Sequence, residues 1–266
     1  MKNYAILGKG FIFSRHVQAI QDTGGKVVCT CDIDPSKEAD FVDYREMLSS
    51  PLMKNIDAFV ICTPNHLHAE HARACLHTKK PVLCEKPLTV NTDFTMLDGV
   101  NIVLQLRYHP MFEEICDAVK SSPETHVVLR AYRDENFWKC WKGDERKSGG
   151  VVYILGAHLF DLLTYALGNN YMILDAKDSM KNSRGVIGFA GGRRVIYNFE
   201  FLPSRDGQTR HLEINGKKYI LSLKDNLSFE GLHDKVYEAF INGTAPTISD
   251  VIPSLELMDN IKKYKG

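Results

Sequence analysis

KNYAILGKGFIFSRHVQAIQ, residues 2–21, decides the fold. Lys2 to Leu7 is an apolar β-type run, Gly8 to Phe13 is a glycine turn, and Ser14 to Gln21 has helical spacing. Strand, glycine turn and helix in succession form the context of a dinucleotide fingerprint, because the glycines let backbone N–H groups approach a pyrophosphate at the helix N-terminus. Phe13 stands where the third small residue of that fingerprint usually lets helix and strand pack closely. The next run, KVVCTCD, ends at Asp32, 24 residues after Gly8. A carboxylate there can accept hydrogen bonds from the adenosine ribose and would repel a 2'-phosphate, which favours NAD over NADP. The same Asp can also simply begin the turn CDIDPS.

Further along, a short helix is expected around Tyr44 to Ser49, and IDAFVICT reads as a third buried strand. In PNHLHAEHARACLHT, Pro64 and Asn65 open a helix with Leu67, Ala72 and Leu76 facing inward. His66, His68, His71 and His77 match neither HExxH nor a mixed His/Cys spacing, so no metal is expected. PVLCEKPLTV, residues 81–90, is a fourth strand that stops abruptly at Glu85, Lys86 and Pro87. In an open α/β sheet ligands bind beyond the carboxyl ends of the strands, so a carboxylate and an ammonium placed there are candidates for chemistry. A surface turn with a solvated lysine would use the same decapeptide. Pro87 confines Lys86 to extended backbone angles in either isomer. A brief helix over Asn91 to Leu97 and a fifth strand, NIVLQLRYHP, ending in Gln105, Arg107 and His109, complete the pattern. Five strands alternating with helices in about 106 residues describe a doubly wound parallel sheet.

Beyond Pro110 the texture changes. A helix carrying Phe112, Ile115 and Val119 leads to the strand HVVLRAYRD, then to FWKCWKGDERKSGG and the apolar helix VVYILGAHLFDLLTYALG, closed by Gly168. YMILDAKD, RGVIGFA, RRVIYNFEF, RHLEING and KKYILSL follow as strands without intervening helices, and LHDKVYEAFI and PSLELMDNIKKY close the chain as helices. The expected fold class is therefore α/β: an N-terminal Rossmann doubly wound parallel sheet over 1–108 and a C-terminal α+β domain on a mixed or antiparallel sheet over 109–266. His158 lies on the apolar helix with Ile154 and Asp161 on its face. An imidazole suits general-base work there, although a histidine on such a helix can equally be a core residue with a satisfied partner.

The 33 basic and 33 acidic residues cancel, so no global field gathers the molecule onto nucleic acid or a membrane, and neither is an expected partner. The seven cysteines are odd in number, form no CxxC pair, mostly sit inside apolar runs, and read as reduced core residues. No run of about 18 apolar residues and no signal-type N-terminus is evident, so a cytoplasmic protein is expected.

With GKGFI, Asp32, TPNHLH, CEKP, LQLRYHP, WKGDERKSGG and GAHLFD in this order, the sequence resembles the Gfo/Idh/MocA oxidoreductases over nearly its whole length. LQLRYHP, WKGDERKS, and FEGLH followed by Tyr237 are similar to the UDP-N-acetylglucosaminuronate 3-dehydrogenases of bacterial surface-polysaccharide pathways. The resemblance implies NAD as cofactor, with Gly8, Gly10, Phe11 and Ile12 at the pyrophosphate, Asp32 at the ribose, and Thr63, Pro64, Asn65, His68 and Gln105 covering it. It implies that Glu85 supports the nicotinamide side and that Lys86 and His158 meet the hydroxyl being oxidised. Arg107, Lys142, Arg146, Lys147, Ile154, Asp161 and His233 are implied on the side of a small-molecule NDP-sugar substrate, although each of the four basic residues can equally belong to a solvated basic loop. The resemblance also implies a homodimer or homotetramer built through the C-terminal sheet. Removing hydride from a secondary alcohol requires loss of the O–H proton, for which a histidine base and a polarising ammonium are suited. Ile154 departs from the family's usual Asp or Asn, Phe13 replaces a small residue, and the segments after Asp32 and Pro87 are shortened. Dehydrogenation of a free sugar or inositol, or binding of NAD or an NDP-sugar without turnover, are the competing readings.

Overall fold

The computed structural model describes residues 1–221 and 231–265. Ser222 and Leu223 of KKYILSL, and Phe229 and Glu230 of FEGLH, lie outside the described residues. In chain order the elements are β1 (Asn3–Leu7), α1 (Phe13–Asp22), β2 (Lys26–Cys31), α2 (Tyr44–Ser49), β3 (Ala58–Ile61), α3 (His68–Leu76), β4 (Val82–Cys84) and β5 (Val100–Ile102). These are followed by α4 (Phe112–Ser121), β6 (Glu124–Tyr132), α5 (Glu135–Trp138), α6 (Glu145–Ser148) and α7 (Gly150–Leu167). The chain ends with β7 (Tyr171–Asp178), β8 (Asn182–Phe189), β9 (Arg193–Leu202), β10 (Thr209–Ile214), β11 (Lys217–Ile220), α8 (His233–Asn242) and α9 (Ile248–Lys263). Short 3₁₀ turns, among them Asn65–Leu67 and Gln105–Tyr108, connect some of these.

Two compact units result. The first comprises residues 1–89, 93–105 and 231–249; the second comprises 90–92, 106–221 and 250–265. The sequence expectation of one boundary between 108 and 109 differs from these units in that the chain returns to the first with α8, which packs on α1.

The first unit is a five-stranded sheet of order β2-β1-β3-β4-β5, parallel at every pairing. Its central strands are apolar at successive positions because both faces are covered: Tyr4 to Ile6, Phe59 to Ile61 and Val82 to Cys84 are all inaccessible to solvent. The order reverses between β1 and β3, and that switch point opens a crevice at the carboxyl ends of the strands. Asn91 to Leu97 is turn rather than helix, because Asp93 Oδ1 accepts from the Thr95 N–H and Arg73 binds the Thr95 and Asp93 carbonyls, giving that backbone local alternatives to helical bonds. The fifth strand ends at Ile102, and Gln105–Tyr108 is a 3₁₀ turn. The far side of that strand is engaged by the chain returning from α8: Ile102 N–H donates to Pro246 O, and Asn101 bridges Thr247.

The second unit is a six-stranded mixed sheet of order β11-β10-β6-β9-β8-β7, in which β6 and β9 are parallel and the other pairs antiparallel. Alternation along β8 and β9 buries one face, against which α7 lies, with α4 beside it. Contrary to the sequence expectation, Glu145–Leu167 is long and apolar enough by composition to cross a membrane, with a mean hydropathy of 1.5 in its most apolar window. Of that window, 78% is buried inside the protein, which makes it a core helix. Six cysteines are buried and Cys140 is exposed, and all seven are free thiols.

Candidate active site

Because the five strands of the first unit run parallel, whatever follows each one arrives at the same edge. β1 delivers Gly8 to Ile12, β2 delivers Asp32, β3 delivers Thr63 to Asn65, β4 delivers Glu85 and Lys86, and β5 leads to Gln105. Gly8 has φ +96°, and a Cβ there would lie 2.6 Å from Cys62 O, so the turn admits only glycine. At Gly10 a Cβ would meet open space, and Phe11 is 81% exposed. Ile12 precedes α1 without a side-chain cap, and the first turn of that helix carries no acidic residue, so its N–H end suits an anion. Phe13 opens α1 half-buried, with the Lys9 ammonium 5.6 Å above its ring. Asp32 accepts from the Lys9 N–H (2.6 Å) and the Asp34 N–H (2.9 Å), which ties the end of β2 to the glycine turn. Tight glycine, anion-accepting helix end and strand-end carboxylate together fit a dinucleotide.

Two histidines brace this edge. His68 is buried between carbonyls of two turns, Nδ1 2.6 Å from Pro87 O and Nε2 2.7 Å from Thr63 O. Its ring nitrogens face backbone, so it holds the Thr63–Asn65 and Lys86–Pro87 turns together; the Lys86–Pro87 bond is cis. Thr63 Oγ1 in turn meets His71 Nδ1 at 2.9 Å. The second brace is His16, wholly buried on α1, whose Nε2 is 3.1 Å from Glu85 Oε1 and whose Nδ1 is 2.8 Å from the Tyr237 hydroxyl on α8. Glu85 Oε2 accepts from the Lys86 backbone N–H (3.2 Å). His233 Nε2 stands 3.9 Å from Glu85 Oε1 and 3.1 Å from Gln105 Nε2. Burial alone would raise Glu85, yet its contacts with His16 and His233 outweigh that and hold its carboxyl well below the usual carboxylate range, while burial pushes His16 down. His16, Glu85 and His233 offer three ligand atoms within 4.8 Å of one another, a set not anticipated from the sequence.

Expected on the substrate side, His233 thus lies in the first unit beside Glu85 and Gln105. His16 and Tyr237 were not assigned a role from sequence, although the signal exists: His16, Ala19 and Ile20 form the buried stripe of α1, and a histidine in such a stripe requires partners.

In the second unit, His158 and Asp161 are buried on α7, while Ile154 is the one position from Gly150 to Thr164 that keeps partial exposure. Arg107 and Asp161 are brought together. Arg107 Nε and Nη2 donate to the two Asp161 oxygens at 2.9 and 2.7 Å, and Nη1 reaches Asp250 Oδ1 at 3.4 Å. Burial pushes the Asp161 carboxyl up and Arg107 pulls it back. Lys142 lies over the Trp141 and Phe137 rings, 4.8 and 5.2 Å from their centroids. Arg146 pairs with Asp144, and both Arg146 and Lys147 are exposed.

Fold and edge chemistry define a dinucleotide-binding α/β protein with a second, mixed-sheet unit. Residues 2–100 match the family described as an oxidoreductase family with an NAD-binding Rossmann fold, and residues 123–238 match the C-terminal alpha/beta domain of the same family. The chain belongs to the Gfo/Idh/MocA oxidoreductase family, and the expected family, fold class and NAD-binding character hold. A solved WlbA (WbpB) dehydrogenase from Thermus thermophilus, in complex with NAD and UDP-GlcNAcA, superposes with a TM-score of 0.85 at 25% identity, covering 100% of this chain and 96% of that one. Among curated proteins, the uncharacterized oxidoreductase YrbE of Bacillus subtilis is 29% identical over 65% of this chain and 55% of its own length. Myo-inositol 2-dehydrogenase of Thermotoga maritima is 28% identical over 49% of this chain and 41% of its own. The chain thus spans about half the length of these two curated relatives.

Proposed function

We propose that the protein is an NAD-dependent dehydrogenase that oxidises the C3 hydroxyl of a nucleotide-linked amino-uronic acid of the UDP-N-acetylglucosaminuronate type, in surface-polysaccharide biosynthesis. The observation that carries this reading is the strand-end set of Gly8, Asp32, Glu85 and Lys86 on one edge of a parallel sheet. The likeness to the Thermus thermophilus dehydrogenase supports the substrate class. NAD, when bound, supplies the hydride acceptor. Lys86 donates a hydrogen bond to the substrate oxygen and stabilises the negative charge that grows there as the C–H bond breaks. His158 takes the hydroxyl proton, a contribution worth about 10²- to 10⁴-fold. Lys142, Arg146 and Lys147 supply positive charge for the diphosphate, whereas Arg107 and Asp161, engaged with each other, hold α7 in place. Ile154 selects a sugar that presents no polar group at that point.

The inositol dehydrogenase relative favours a second reading, oxidation of a free polyol. For either substrate we propose a homodimer or homotetramer formed through the C-terminal sheet, whose β7 exposes Met172 and Leu174. Turnover of UDP-N-acetylglucosaminuronate, UDP-linked neutral sugars and inositols with NAD separates the two readings. The expected result is reduction of NAD with the UDP-uronate alone, and a hundredfold or greater loss of kcat in Lys86→Ala and in His158→Ala with NAD affinity retained. Turnover of inositol alone, wild-type kcat in either variant, or equal affinity for NADP despite Asp32 would overturn the corresponding part of the proposal.

A further inference from the structure

We propose that His16 and Tyr237 are positioning residues for Lys86, acting through Glu85. The hydrogen bonds have a single consistent direction. Glu85, held ionised, can only accept, so the Nε2 of His16 at 3.1 Å must carry its proton and donate to Oε1. A neutral imidazole then presents a lone pair at Nδ1, and the Tyr237 hydroxyl at 2.8 Å must donate to it. With Oε1 fixed in this way, Oε2 is turned to the Lys86 backbone N–H at 3.2 Å. The chain of bonds therefore runs Tyr237 to His16 to Glu85 to Lys86, and it draws on α8, α1 and the end of β4. All four residues belong to the first unit, and Tyr237 and His16 are both fully buried.

The neighbouring groups agree with this proton placement. The aromatic edges of His16 pack against Tyr237 and His233, with ring centroids 5.9 and 5.2 Å apart and nearly perpendicular planes. His233 approaches Glu85 Oε1 only to 3.9 Å and turns its Nε2 instead to the Gln105 amide. Glu85 Oε1 thus keeps His16 as its hydrogen-bond donor, and loss of His16 frees the carboxylate to rotate off the Lys86 amide. The groups that face the pair are Glu85, His233 and Tyr237, together with Cys62 and Cys84, whose thiols burial pushes well up and keeps neutral.

The kinetic arm of the test rests on the dehydrogenase reading, while the other arms do not need a substrate. In His16→Leu, hydrogen exchange at the Lys86 amide is expected to speed up at least tenfold, and in His16→Gln, whose amide can still donate to Glu85, it is expected to stay within about threefold of wild type. Ring-nitrogen NMR of the unliganded protein should show His16 protonated at Nε2 and not at Nδ1 at neutral pH, with its Nδ1 signal moving in Tyr237→Phe. On the substrate that the full protein turns over, His16→Leu should lower kcat at least tenfold with KM for NAD unchanged, and His16→Gln should restore most of it. Unchanged Lys86 exchange in a folded His16→Leu, a proton at Nδ1, or a stoichiometric metal ion bound at His16, Glu85 and His233 by elemental analysis would each overturn the proposal. If exchange and NMR come out as expected and no substrate is turned over, the positioning network stands and the proposed reaction fails.

Discussion

Arg107 and Asp161 are 54 positions apart in the sequence and are both expected on the substrate side; in the fold they bond to each other. The Asp161 side chain is 1% exposed and that of Arg107 11%, so each desolvated charge depends on its partner. Replacing Arg107 by Leu leaves a buried carboxylate without its fork of donors and should destabilise the protein by about 3–5 kcal/mol. Arg107→Leu combined with Asp161→Leu should cost less than the sum of the two single changes, because no uncompensated buried charge remains, the other partner Asp250 being exposed. Urea unfolding of the three variants decides this: strict additivity, or single changes that alter substrate KM and leave stability alone, would return the pair to the substrate. Asp32, Glu85 and Lys86, by contrast, follow directly on apolar strands, so local pattern and one topological rule bring them to a shared edge. Partners such as Arg107 with Asp161, or His16 with Tyr237, are set by packing between elements distant in sequence, and no local pattern pairs them.

Among the elements, α7 is the most legible, since the apolar stretch from Val151 to Leu167, closed by Gly168, reads as a helix from its local pattern alone. What the sequence could not convey is how closely it lies on the sheet. Gly156 sits where a Cβ would come within 2.8 Å of both Phe160 and Phe199, two fully buried rings stacked edge to face at 5.2 Å. Gly156→Ala gains up to about 1 kcal/mol of helix propensity, but wedging a methyl between rings that cannot retreat costs about 1–3 kcal/mol, and the second effect wins. Its melting temperature should therefore fall, and a rise would show that α7 has room to shift. Helix Asn91 to Leu97 failed as an expectation for the opposite reason: its residues are apolar enough, yet Asp93 and Thr95 bond their own backbone and the Arg73 guanidinium takes the carbonyls. β5 is shorter than its apolar run, which continues past Ile102 toward a 3₁₀ turn, because periodicity alone does not mark where pairing stops.

At the scale of the whole molecule, the buried histidines set the response to acid. Burial pushes His16, His68 and His71 of the first unit below the ordinary imidazole value, His71 to about 4, and lowers His109 and His211 in the second. A group whose folded value is depressed binds protons more readily in the unfolded chain, so the stability it contributes is full above about pH 6.5 and is lost as pH falls toward the folded value. For His71 this amounts to about 2 kcal/mol by pH 5, a substantial share of a typical total of about 5–15 kcal/mol. Glu85 acts in the same direction but only below the normal carboxylate range, where its depressed value keeps it ionised longest. Asp161 opposes them: burial raises its value, so its contribution is present in acid and lost as pH rises through that value. The histidines titrate first on the way down, so urea midpoints should fall steadily from pH 7 to 5, well before carboxylates protonate in bulk. His71→Gln, which can keep a hydrogen bond to Thr63 without titrating, should flatten that slope by about 2 kcal/mol between the two ends. A flat wild-type profile, or one that rises toward pH 5, would mean that these imidazoles are reached by water in the folded state and that their burial does not govern acid stability.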